Sequence, residues 1–82
     1  MKYSLMDHAK KLIAKRQICN KWIKETLVYP ARIQSDWNDP GWVHVLRLIA
    51  ERGFRVLRII YNETNDPVTI VTAYFDDEVK DL

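Results

Sequence analysis

Pro30 divides this chain into two halves with different hydrophobic periods, and that change of period limits the folds open to it. Before it, Leu5, Ala9, Leu12 and Ile13 recur at helical spacing. Residues 5–16 are therefore predicted to form an amphipathic helix, opened by a near capping box of Ser4 and Asp7. Gln17, Ile18 and Cys19 make a short connection, and Asn20 is a good N-cap for a second helix. The apolar stripe of that helix is Trp22, Ile23, Leu27 and Val28. Pro30 closes it, because the residue before a proline is pushed out of helical geometry.

After Pro30 the apolar period falls to two. Residues 31–35 are predicted as a short strand, and Asp36-Trp37-Asn38-Asp39-Pro40-Gly41 is a dense turn signal. Residues 43–50, 54–61 and 68–76 are predicted strands, joined by Glu51-Arg52-Gly53 and by the turn at residues 62–67. Short turns join strands as antiparallel hairpins. The expected fold class is α+β, with two N-terminal helices on one face of a three- to four-stranded antiparallel sheet. One domain is expected to span residues 1–82. The acidic tail, residues 76–82, is expected to be loose at its end.

Alternation along the strands assigns the faces. Leu57, Ile59 and Tyr61, together with Val71, Ala73 and Phe75, are expected beneath the helices. Arg58, Thr72 and Tyr74 then share the open face, unless a slip of one residue reverses the assignment. Two hydroxyls beside Arg55-Val56-Leu57-Arg58 are suited to holding a phosphate. The plainer alternatives are strand propensity for Thr72 and Tyr74, and a carboxylate partner such as Glu63 or Asp76 for Arg58.

Charge is unevenly spread. Residues 1–32 carry eight basic side chains against two acidic ones, and residues 33–82 carry five against nine. A basic helical half attracts polyanions such as RNA, and its alternative is a solvated lysine-rich surface. No apolar run approaches the roughly 18 residues of a membrane span, so no membrane association is expected. Cys19 is the only cysteine, which excludes an internal disulfide and makes the cytoplasm the expected compartment. Two histidines and one cysteine match no zinc spacing, and Gly41 and Gly53 are too few for a phosphate loop. Neither a metal nor a cofactor is expected. A domain this small is marginally stable alone, so a homodimer or a partner protein is expected to add stability.

Five segments carry a family resemblance: Asp7-His8-Ala9, Ala14-Lys15-Arg16-Gln17-Ile18, Leu27-Val28-Tyr29-Pro30, Arg55-Val56-Leu57-Arg58 and Val71-Thr72-Ala73-Tyr74-Phe75. In order and spacing, over roughly residues 5–78, they resemble the bacterial domain of unknown function 4258 family. That family shows a histidine opening its first helix, "R-G-I" ending it, a proline after the second helix, and a closing strand like "V-T-x-Y/F". Gln17 stands where the family usually has glycine, so a differently shaped helix end is expected. The family in turn resembles the RelE/ParE toxins and the barnase, EndoU and colicin-type ribonucleases. This implies a metal-independent ribonuclease of a toxin–antitoxin system, with RNA as substrate and an antitoxin protein as partner. The alternative is a non-catalytic protein- or nucleic-acid-binding module of the same fold.

Metal-free RNA cleavage needs a base for the 2′-hydroxyl proton, groups that stabilise the phosphorane, and an acid for the leaving oxygen. Under that resemblance His8 is the acid–base candidate, Arg58 the phosphate clamp, and Thr72 and Tyr74 the hydrogen-bonding groups. Arg16, Arg55, Lys11 and Lys15 are the candidate nucleic-acid contacts. His8 has the alternative of a helix-capping or packing residue. His44 is read as ordinary strand surface and Trp22 as core. Trp37 and Trp42 flank the turn-rich loop, either to stack on bases or to fix the loop to the sheet.

Overall fold

Alternating side chains after Pro30 resolve into four strands, and a fifth comes from the residues ahead of the first helix. The computed structural model describes residues 1–82. Its elements are β1 (Tyr3–Leu5), α1 (Asp7–Lys15), α2 (Asn20–Val28), β2 (Arg32–Ser35), β3 (Trp42–Ile49), β4 (Arg55–Asn62) and β5 (Val68–Phe75), with a 3₁₀ turn at Ala50–Arg52. They build one five-stranded sheet in the order β1-β5-β4-β3-β2. No helix is long and apolar enough to cross a membrane.

The fold class is α+β as expected, but the sheet is not the three- to four-stranded antiparallel one. It has five strands and is mixed, because β1 pairs parallel with β5. Three residues are too few to show a strand period, and Ser4 looked like a helix cap. It lies instead within β1, its hydroxyl 3.2 Å from Thr69 Oγ1. Met6 takes the N-cap position of α1 without a side-chain cap, and the helix begins at Asp7.

Ala9 and Ile13 from α1, and Ile23 and Leu27 from α2, pack on Val45, Ile49, Leu57, Ile59, Ile70 and Ala73 of the sheet. Thr26 is fully buried among them, and its hydroxyl donates to the Trp22 carbonyl one turn back (2.8 Å). Trp22 packs against this core as expected, edge-on to Phe75 at 6.2 Å. One register detail differs from simple alternation. Ile60 pairs with Thr72 but Tyr61 pairs with Ile70, so Val71 is an extra residue in β5. This bulge places Ile70, rather than Val71, in the core beneath the helices.

The end of α1 explains the Gln17 departure. Gln17 N–H donates to Ala14 O (3.1 Å) and Ile18 N–H to Ile13 O (3.0 Å), the paired bonds of a Schellman cap. Ile13 and Ile18, the two side chains this cap brings together, both lie in the core. Such a cap needs a left-handed residue, and Gln17 adopts it, with φ 56°. The left-handed form costs a residue with a Cβ about 1–2 kcal/mol, which glycine's larger loss of backbone freedom offsets in part. Gln17→Gly should therefore stabilise the protein by roughly 0.5–1 kcal/mol and raise Tm by about 4 °C in thermal melts. An unchanged or lower Tm would show that Gln17 is not strained there.

On the face away from the helices, Leu46 is fully buried and Val56 nearly so. Residues 76–82 cover that face. Asp76 N–H bonds Val56 O on β4 (2.8 Å), and Asp81 reaches Arg32 on β2 (3.2 Å). The tail thus crosses β4 and β3 as a strap. Composition marked it as acidic, but its arginine partners come from strands far away in sequence.

Candidate nucleic-acid interface and the Arg58 network

Strand pairing puts Arg58 directly opposite Tyr74, with Ile60 opposite Thr72. Arg58 alternates with the core residues Leu57 and Ile59, so all three candidate groups lie on the face away from the helices, as expected. Arg58 is held on several sides. Its Nε donates to Asp76 Oδ2 (2.9 Å), and its Nη1 donates to Gln34 Oε1 (3.1 Å) and to His44 Nδ1 (2.8 Å). Nη2 has no protein partner and is not fully buried.

Strand alternation predicts His44 as ordinary surface, but it is buried, at 6% exposure. A guanidinium can only donate, so His44 Nδ1 must accept, and Nε2–H then donates to Asp36 Oδ1 (2.7 Å). Both ring nitrogens are therefore engaged. Asp36 also accepts the backbone N–H groups of Asn38 and Asp39. The His44 hydrogen bond, helped by these backbone donors, holds the Asp36 carboxyl below its ordinary range. Trp37, 86% exposed, sits near the His44 ring with centroids 6.4 Å apart. His44 was legible in principle: folding the hairpin about Glu51-Arg52-Gly53 sets it opposite Ile60, one diagonal from Arg58.

His8 is not part of this group. It precedes the core residue Ala9 in the first turn of α1, is exposed, and belongs to the helical layer on the other side of the sheet. Helical spacing orients a side chain only about its own axis, whereas the layer it joins depends on how that helix docks.

Most of the nucleic-acid candidates do converge. Lys15 and Arg16 from the end of α1, with Gln17, meet Arg52, Arg55, Tyr74 and Phe75 around a cleft of about 410 Å³. The cleft follows the second half of β5, which β1 does not reach because it pairs only with Val68, Thr69 and Ile70. Arg16 Nη1 donates to the Ala73 carbonyl there (2.8 Å). Arg52 and Arg55 stack on the Phe75 ring, at 4.8 and 4.7 Å from its centroid. Such stacking fixes planar guanidinium groups in place. Arg55 is balanced by Asp77 through two hydrogen bonds, whereas Lys15, Arg16 and Arg52 have no carboxylate partner. Lys11 is exposed on α1 and does not line the cleft. Arg52 sits in a turn, where no strand parity marks it in the sequence.

A comparison with protein families matches residues 5–75 to a domain of unknown function, DUF4258. The chain belongs to the DUF4258 family. The match includes both helices, all of the cleft-lining residues, and Gln34, Asp36, His44 and Arg58 of the network, while Asp76 lies just past its end. No curated protein matches the chain, and no solved structure matches it.

Proposed function

We propose that this DUF4258 domain binds single-stranded RNA, gripping its phosphates in the cleft along β5. The observation that carries this reading is the lining itself: four cationic side chains, two aromatic ones and no carboxylate. Guanidinium groups held against Phe75 and against the Ala73 carbonyl are pre-organised for phosphate, and Tyr74 supplies a hydroxyl and a ring face. The cytoplasm is the place of action this reading implies.

Phosphate contacts release counterions, so log K falls with log salt by about 0.7 per neutralised phosphate on a single strand. The three unbalanced cations give an expected slope of roughly −2 in anisotropy titrations with labelled RNA. Lys15→Gln should make that slope shallower by about 0.7. Absence of binding at about 50 mM salt, or a slope indifferent to Lys15→Gln, would sink the proposal.

A second reading is a metal-independent ribonuclease related to the RelE/ParE toxins and controlled by an antitoxin. It is supported by Arg58, Thr72 and Tyr74 sharing one face, with Arg58 Nη2 not engaged by any protein partner. Against it, Asp76 neutralises the guanidinium and His44 has no free nitrogen for proton transfer. RNA binding without cleavage is therefore favoured. RNA cleavage by the parent chain that is lost in a Thr72→Val variant with an unchanged urea midpoint, and kept in His8→Ala, would reverse that order.

A further inference from the structure

The strap formed by residues 76–82 reads Asp-Asp-Glu-Val-Lys-Asp-Leu, and three of its carboxylates each meet an arginine of the sheet. Asp76 pairs with Arg58 and Asp77 with Arg55, each at 2.9 Å, and Asp81 pairs with Arg32 at 3.2 Å. Between the charged contacts, Val79 and Leu82 line a cleft of about 450 Å³ together with Leu48, Phe54 and Val56. The face beneath the strap therefore carries Arg58 and Arg32, set apart across the sheet, with Arg55 at its rim and an apolar floor between them. This is the chemistry that recognises an acidic peptide bearing spaced apolar side chains.

The strap is held unevenly. Asp76 is mostly buried and tied by its backbone to Val56, but the Asp77 and Asp81 side chains are 64% and 78% exposed. Exposed ion pairs of that kind add little, so residues 77–82 are only weakly retained. The family match stops at Phe75, leaving the strap outside the matched region. Lifting it would uncover Leu48 and Phe54, already exposed at 37% and 67%, together with buried Val56.

We propose that this face is a recognition groove for an acidic, apolar-spaced peptide segment of a partner protein. The chain's own residues 77–82 occupy it in cis and yield it to the partner. A short tether keeps the strap at an effective concentration in the millimolar range, so a partner segment must bind better than the strap does. The proposal is independent of the RNA cleft, since the groove lies on the other side of Arg55 and shares only that residue with it.

The test is a titration with a synthetic peptide of residues 76–82, followed by backbone amide NMR shifts in the full chain. Asp81→Lys with Leu82→Ser loosens the strap without touching the sheet. Val79→Ser, which keeps every carboxylate, is a milder second variant. The loosened chain should bind the peptide about tenfold more tightly than the parent, with shifts centred on Arg32, Leu48 and Phe54. Adding Arg32→Glu should remove most of that gain. A loosened chain that keeps its amide dispersion yet does not bind the peptide overturns the proposal, as does binding indifferent to Arg32→Glu. A concentration-dependent dimer that excess peptide does not dissolve also overturns it, in favour of exchange between two copies of this chain.

Discussion

Arg58→Ala should lower the stability of this protein by about 3–5 kcal/mol, the cost of leaving buried charge uncompensated. The side chains of Arg58 and Asp76 are only 12% and 16% exposed, so water cannot replace the lost partner freely. Removing the guanidinium strands the Asp76 carboxylate and leaves His44 Nδ1 and Gln34 Oε1 without their donor. A domain of this length is expected to hold only about 4–12 kcal/mol in total, so the variant should sit near its unfolding threshold. Arg58→Lys should rescue little, because one ammonium cannot reproduce three donors fixed in a plane. Urea unfolding gives the readout, as a fall in midpoint at an unchanged slope. A double-mutant cycle with Asp76→Asn isolates the pair. A loss below about 1 kcal/mol would mean that the network behaves as solvated surface charge.

Ile70→Ala should cost about 2–5 kcal/mol, while Val71→Ala, its neighbour, should cost less than about 1 kcal/mol. Ile70 is fully buried beneath the helices, whereas Val71 is the half-buried extra residue of the β5 bulge. Truncating Ile70 leaves a cavity beside the core, which the two adjoining strand pairs hold open. Val71 lies outside the core cluster, so truncating it removes less buried apolar surface. Regular alternation assigns the two residues the other way round, so the pair of variants tests the register directly. Equal losses, or a larger loss for Val71, would place the bulge elsewhere.

Much of the molecule was legible because its signals are local. Helical spacing from Ala9 to Ile13 and from Ile23 to Leu27, with Pro30 as a stop, marks both helices. Period-two alternation marks β3, β4 and β5 and sets Arg58, Thr72 and Tyr74 on a common face, since parity passes from neighbour to neighbour. The cluster of Lys15, Arg16 and Arg55 was foreseen in membership but not in place. Its cleft exists because β1 stops short of the second half of β5, and a three-residue strand leaves no periodic trace. His8 shows the limit of motif reasoning, since its position along α1 says nothing about which side of the sheet receives the helix. His44 and Asp36 were hidden for a related reason: each looks ordinary until the hairpin and the loop bring them to Arg58.

The amino-acid order by itself therefore determined the two helices, the three long strands and the helix stop at Pro30, all written within a few residues of one another. Tertiary structure alone decided the parallel β1–β5 pair, the shift of Ile70 into the core, the burial of His44 and the course of the acidic strap. Each of these joins segments far apart along the chain. Which distant partner a carboxylate or a strand edge meets depends on how the whole sheet closes, and no local period encodes that choice.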